Sequence, residues 1–319
     1  MALTGRTFIF RIAAAVLLLH VSVSAAAAQA GRPAGTSRHS VTISTEPGAK
    51  IWVDGVLYGT ASKSGTLKLT NLTPTRKTIR VRADGFKELQ KAVVPTQAEQ
   101  ISLSLTKTTD EAELAFQEAE RFATVDRAKA VQAYQRALKL RPGYAEAHIA
   151  LARLYTETGE VDKAEKAITA ARRAKPGLAE VSAIEGRIFK GVDEEAKAIA
   201  SFKRAIREGS GFQPEAYAGL GILYKEKAEG FGAAGDYDRE AANYAESAKH
   251  LSTAIKQLGG APDAVVLYQF LGLVYEQQKK PEKAIAVYEE FLKAFPDHPE
   301  SAAFESFIVQ LKKEAARQN

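Results

Sequence analysis

The 319-residue chain contains no cysteine. That absence excludes disulfides, thiolate nucleophiles and cysteine-ligated metal centres. Histidine is scarce. Beyond the first thirty residues there are His39, His148, His250 and His298, and no two of them stand at the i, i+4 spacing of a helix-borne metal pair. The chain has no G-x-S-x-G nucleophile turn, no phosphate-cradling G-x₄-G-K-[ST] and no H-E-x-x-H zinc helix. Carboxylates are abundant, but they fall on amphipathic helix faces where solvation accounts for them. The expectation is a non-enzymatic protein with no cofactor and no metal.

Long apolar runs are also missing, with one exception. Arg6 and Arg11 precede "IAAAVLLLHVSVS", and "AAAAQA" closes the segment with small residues at Ala28 and Ala30. This charged, apolar, A-x-A order is that of a secretory leader cleaved after Ala30. A membrane anchor fits less well. Ile12 to Ala28 is shorter than the about 20 apolar residues of a spanning helix, and His20 interrupts it. With no cysteine near the junction, lipid attachment is excluded there. Residues 1–30 are therefore expected to be a signal peptide and 31–40 a linker. The mature protein is expected in the periplasm or at the cell surface, with no transmembrane span after cleavage.

The net charge of +6 is uneven. Between Gly31 and Thr109, twelve Lys or Arg stand against five Asp or Glu, whereas from Asp110 onward thirty stand against thirty-three. A basic module joined to a slightly acidic one points to an anionic surface as a partner of the first. Nucleic acid is not expected as the partner of an exported protein.

Within the basic module, apolar and polar residues alternate with period two. Val41 and Ile43, Ile51 and Val53, Leu67 and Leu69, Ile79 and Val81, and Ile101, Leu103 and Leu105 each share a face of their run. Pro47-Gly48, Asp54-Gly55, Ser64-Gly65 and Asp84-Gly85 supply chain reversals between the runs. The pattern predicts a small antiparallel sandwich or barrel-like sheet over 41–106. "STEPGAKIWVDGVLYGT", "LKLTNLTPTRKTIRVRADGFKE" and "ISLSL", in this order, resemble a PEGA domain, a β module of exported bacterial proteins. The naming tetrapeptide reads Glu46-Pro47-Gly48-Ala49, with its first two residues exchanged. The resemblance implies envelope or wall association and brings no catalytic residue. On the polar side of the predicted strands lie Lys50, Trp52, Lys68, Arg80 and Arg82. An exposed Trp among cations is a candidate face for a cell-wall or other anionic glycan. The plainer reading is a charged face that keeps the sheet soluble, with Trp52 covering an edge.

After Asp110, with 107–110 as a linker, the period changes to 3.6 and a longer repeat appears. Ala130, Ala164 and Ala198 are 34 residues apart, as are Tyr134, Ile168 and Phe202, and likewise Ala137, Ala171 and Ala205. Small residues allow helices to approach, the bulky position fills the gap between hairpins, and Pro142 and Pro176 end second helices. The last copy, "YQFLGLVYEQQKKPEKAIAVYEEFLKAFP", carries Tyr268, Leu271, Gly272, Tyr275, Ala284, Tyr288 and Pro296 in the order of a tetratricopeptide repeat, and the segment resembles that family. The fold expected is a small all-β sandwich-like domain followed by an all-α helical-repeat solenoid. Five repeats are expected over 111–298, with an insertion at about 229–245, and 299–319 is expected to be a capping helix and tail.

That insertion contains "GFGAAG", Gly230–Gly235, which spells the dinucleotide fingerprint G-x-G-x-x-G. A helix leads into it where a strand is required, and about 20 residues on stands Ile255 instead of a ribose-binding acid. The glycines are expected to form the turn of an enlarged repeat, and no nucleotide is expected. Asp236 then caps a helix running to Leu258, with Phe231, Tyr237 and Tyr244 on or beside it.

The family resemblance implies that a partner lies along the first helices. Its candidate contacts here are Ile149, Arg153, Ile184, Arg187, Lys190, Ile222, Lys225, Phe270 and Leu273. This is an apolar groove with a basic stripe, suited to an envelope protein or peptide with apolar anchors and acidic residues. The Lys and Asn that clamp a C-terminal carboxylate in some relatives are replaced by Ala115 and Ala119. Two functions follow: a protein-interaction scaffold of the cell envelope, or a wall-binding protein acting through its basic β face.

Overall fold

The computed structural model describes residues 39–95 and 100–318. The leader expected at 1–30 and most of the 31–40 linker lie outside the described residues.

Seven strands form two sheets among the described residues. β1 (His39–Ser44) stands between β4 (Thr66–Leu72) and β7 (Gln100–Ser102). The second sheet has the order β3-β2-β5-β6, from β2 (Lys50–Val53), β3 (Val56–Thr60), β5 (Lys77–Arg82) and β6 (Leu89–Val93). Val41, Ile43, Ile51, Leu69, Ile79, Val81 and Leu103 meet in the core between them. Asp54-Gly55 makes the two-residue hairpin from β2 to β3, with φ of 50° and 87°, the left-handed pair that such a turn requires.

Three features depart from the sequence expectation. The β1–β7 pair is parallel, because the chain crosses from the second sheet to the first between β6 and β7. β3 and β6 carry little alternation, and β6 is an edge strand with a largely exposed pattern. In β2, Ile51, Trp52 and Val53 are all buried, so the sheet is covered on both faces.

Helices follow in consecutive antiparallel pairs. They are α1 (Glu111–Phe122) with α2 (Arg127–Leu140), α3 (Ala145–Glu157) with α4 (Val161–Ala174), and α5 (Ala179–Gly191) with α6 (Glu195–Glu208). Next come α7 (Pro214–Ala233) with α8 (Tyr237–Leu258), α9 (Val265–Gln277) with α10 (Pro281–Ala294), and the closing α11 (Ser301–Gln318). Asp110, Asp126 and Asp236 cap α1, α2 and α8 by accepting from main-chain N–H groups of the first turn. α3 touches α5 and α5 touches α7, while among the described residues no comparable contact joins α2 to α4 or α4 to α6. The first helices therefore form the inner side of the stack.

Glycine on a first helix sets how closely its partner approaches. Gly186 and Gly219 enclose the Phe202 ring from two successive pairs, and Gly272 lies directly on the Tyr288 ring. Phe304, Ile308 and Leu311 of α11 cover the last apolar face. The fourth pair is the long one, but its turn is narrower than the glycines suggest. α7 continues through Gly230 and Gly232, and only Ala234–Asp236 reverses the chain. Glu240 of α8 passes so close to Gly232 that a Cβ there would meet its carboxylate.

Candidate functional site

The outer face of the four-stranded sheet meets the first helix pair. Lys50 pairs with Glu120 of α1 at 3.1 Å, and Glu120 also accepts from Tyr134 Oη at 2.8 Å. The Arg82 guanidinium lies over the Phe116 ring, 4.6 Å from its centroid, and pairs with Glu88. Burial pushes the Glu120 carboxyl up, but Lys50, the Tyr134 hydrogen bond and Arg82 together hold it below the usual carboxylate value. Arg121 pairs with Asp84 at 3.0 Å, and the Gln117 side chain bonds the main chain of the adjoining Gly85-Phe86 turn.

A second docking contact stands at the other end of the array. Tyr58 Oη of β3 donates to the Leu258 carbonyl at 3.1 Å, where α8 ends. Asn71 Nδ2 of β4 donates to the Ala294 carbonyl at 3.4 Å, where α10 ends. Val56 joins the apolar cluster containing Leu258, Ala261 and Ala264. Gly260 admits the Thr70 carbonyl so closely that a Cβ there would collide with it. Burial, followed by Asp54, pushes the Tyr58 hydroxyl up to about 12.

Between these contacts lies a cavity of about 770 Å³. Trp52, Val56, Leu57 and Arg80 form its β-domain wall. The opposite wall comes from the first helices, with Arg153 of α3, Arg187 and Lys190 of α5, Glu215 and Ile222 of α7, and Val266 of α9. Arg153 bonds Glu180 at 3.0 Å and Glu215 at 2.6 Å, and Arg187 reaches Glu215 at 3.3 Å. Burial alone would lower the Arg153 value, but Glu215 and Glu180 raise it well above the ordinary one. Burial pushes Glu215 up, and Arg153 and Arg187 more than reverse this.

The structure separates the residues of the expected glycan face. Lys50, Trp52, Arg80 and Arg82 share the second sheet and turn toward the helices, whereas Lys68 is exposed on β4 of the first sheet. Trp52 is only 8% exposed, with the Arg80 guanidinium 4.3 Å above its ring, so the exposed Trp of the sequence reading is a covered one. The Arg82 guanidinium also stands over that ring, 5.5 Å from its centroid, so the two strand-β5 arginines cover it by cation–π contact.

Of the expected groove residues, Arg153, Arg187, Lys190 and Ile222 line the cavity. Ile149 and Ile184 are buried in the helical core. Lys225 pairs with Glu229, Phe270 packs partly into the last core cluster, and Leu273 is exposed. Sequence reasoning missed the acids. Glu180 and Glu215 open the first helices that follow Arg153 and Arg187, at spacings of 27 and 28 residues, and so build an ion ladder from one repeat to the next. That spacing is visible in the sequence. The β-domain wall of Val56, Leu57 and Trp52 had no such signal.

Among the described residues there is no cluster of three or more His, Asp or Glu arranged to hold a metal, and no helix is long and apolar enough to cross a membrane. A β module docked on the inner face of stacked helix pairs defines a helical-repeat protein of the interaction type. More particularly, residues 38–109 match the PEGA domain model, and 122–188 and 233–299 match tetratricopeptide repeat models. The chain carries a PEGA domain followed by tetratricopeptide repeats. Yeast Tom70 shares 18% identity over 65% of this chain and 41% of its own, with a TM-score of 0.52, and supports the repeat fold. MamA (22% identity, 55% of this chain and 93% of its own, TM-score 0.39) is also similar. So is a thermophilic TPR protein of Thermus thermophilus (16%, 62% and 99%, TM-score 0.46). No curated protein sequence matches the chain.

Proposed function

We propose that the protein is a non-enzymatic interaction scaffold of the bacterial cell envelope, exported by its N-terminal leader. In this reading the helical array binds a partner protein or peptide, and the β domain orients or anchors it. The observation that carries the reading is an apolar stripe on α9. Val266 and Leu273 are 45% and 43% exposed, with the partly buried Phe270 between them. Apolar side chains at i, i+4 and i+7 are the spacing by which one helix receives the apolar anchors of another. The β domain reaches from α1 to the ends of α8 and α10, so the partner contact is assigned to the exposed Leu273 end of the α9 stripe.

The second reading, an anionic wall glycan bound by the β domain, draws support from the basic balance of residues 31–109 and from the exposed Lys68. It is the weaker one, because Lys50 and Arg82 are engaged by Glu120 and Glu88.

Incubating the mature protein with solubilised envelope proteins and with insoluble cell wall, at low and physiological salt, separates the two. A specific protein retained at both salts and lost with Leu273→Asp supports the scaffold. Pelleting with the wall that salt releases and Lys68→Glu weakens, with no protein retained, replaces it by the wall-binding function.

A further inference from the structure

The cavity between the β domain and the first helices belongs to neither domain alone, and its charges are unequally satisfied. Its volume of about 770 Å³ is that of small-molecule sites, which form preferentially where domains meet. Its walls are mainly apolar, from Trp52, Val56 and Leu57 on one side and Ile222, Val266 and Leu267 on the other. The docking contacts at Gln117 and Tyr58 stand at the two ends of the array. An extended chain laid along the inner face would therefore meet the β domain, whereas a compact molecule fits between the walls.

Three of the four carboxylates lining this cavity already have cationic partners. Asp54 holds Lys77 at 3.0 Å, Glu180 holds Arg153, and Glu215 holds both Arg153 and Arg187. Asp263 stands beside Glu215; burial and that neighbour, opposed by Arg153, raise its pKa and favour its neutral form. On the cationic side Arg80 differs from the rest. Its Nε is buried with no acceptor among the described residues, and its only carboxylate contact there is Glu88 at 4.0 Å, a group that Arg82 already engages at 2.5 Å. A guanidinium held against an indole ring in an apolar recess, without a matched acceptor, is a preformed half of an ion pair.

We propose that this cavity binds a small organic acid, its carboxylate on Arg80 and its apolar or aromatic body between Trp52 and the α7–α9 wall. The cavity shares Val266 with the α9 stripe but not Phe270 or Leu273, so variants at Arg80 test it without altering those two stripe residues.

Trp52 is the only tryptophan of the chain, so its fluorescence reports on this wall alone. Titrating the full mature protein with 4-phenylbutyrate should shift Trp52 emission saturably. The uncharged 4-phenylbutyramide should bind about tenfold or more weakly, as the loss of one charged hydrogen bond implies. The cationic 4-phenylbutylamine tests Asp263 and should not compete. Arg80→Met, which keeps the aliphatic stem on the ring, should abolish the preference for acid over amide. Arg80→Lys should retain part of it, and Lys63→Met, at an exposed position outside the cavity, should leave the preference unchanged. Thermal unfolding of each variant shows that it is folded. Equal binding of acid and amide, tighter binding of the amine, an unchanged preference in Arg80→Met, or no saturable shift with the acid would overturn the proposal.

Discussion

The Gln117 side chain grips the backbone of the β domain at Gly85, accepting from its N–H at 2.7 Å while donating to the next carbonyl, that of Phe86, at 2.8 Å. Gln117 is 2% exposed, so neither bond is replaceable by water. Gln117→Leu leaves a buried N–H and C=O unpaired and should cost about 1–3 kcal/mol. Thermal unfolding should show the loss, and protease cleavage within 107–110 should accelerate as the β domain loosens from α1.

At the opposite docking contact, Tyr58→Phe removes the bond to the Leu258 carbonyl, and with it the hydroxyl's interaction with the Gly260 backbone, and keeps the ring. A neutral hydrogen bond contributes about 0.5–1.5 kcal/mol, so the expected loss is smaller than for Gln117→Leu. Hydrogen exchange at the end of α8 should rise in this variant and leave α1 unaffected.

Gly272→Ala tests the packing within a helix pair. A Cβ there falls inside the Tyr288 ring, and Tyr288 is held by full burial and by its hydroxyl bond to Glu276 at 2.6 Å. Alanine gains up to about 1 kcal/mol of helix propensity. Overpacking costs about 1–3 kcal/mol, so the net change should be a loss, read as a lower unfolding midpoint.

Glu215 and Glu120 are both held below their ordinary carboxylate values in the folded protein. Groups shifted in this direction stabilise the fold fully above the unfolded value, about 4.3, and lose that contribution as pH falls through the lower folded value. Denaturant midpoints measured from pH 7 downward should therefore stay level and then fall below about pH 4.3. Glu120→Gln should flatten part of that fall. A midpoint that rises over the same range would contradict the assigned pairs.

Much of the architecture was legible because it is local or nearest-neighbour. Tyr134, Ile168 and Phe202 recur at 34 residues since each hairpin buries its apolar face only against the next, and the β-turn pairs Asp54-Gly55 and Asp84-Gly85 demand left-handed backbone wherever they occur. The glycine run at 230–235 was legible in kind, as part of a helix pair, but not in extent. α7 runs through both Gly230 and Gly232 despite their helix-propensity deficit, and of the two only Gly232 lies against α8, at Glu240. The basic stripe of Arg153 and Arg187 was legible as positions but not as partners, since the acids that hold them belong to the following helices.

The amino-acid order settled five of the seven strands (not β3 or β6), the helical segments, the 34-residue stacking and the separation into a basic β module and a helical array. Each of these follows from hydrophobic period and backbone preference within some forty residues. Where the β module sits was decided only by the folded chain. Lys50 meets Glu120 seventy positions on, and Tyr58 meets Leu258 two hundred positions on. No local pattern distinguishes a polar sheet face turned to water from one turned to another domain, because Lys and Arg satisfy either with a charged head and an apolar stem. The burial of Trp52, the cation left over at Arg80 and the cavity between the domains all follow from that docking.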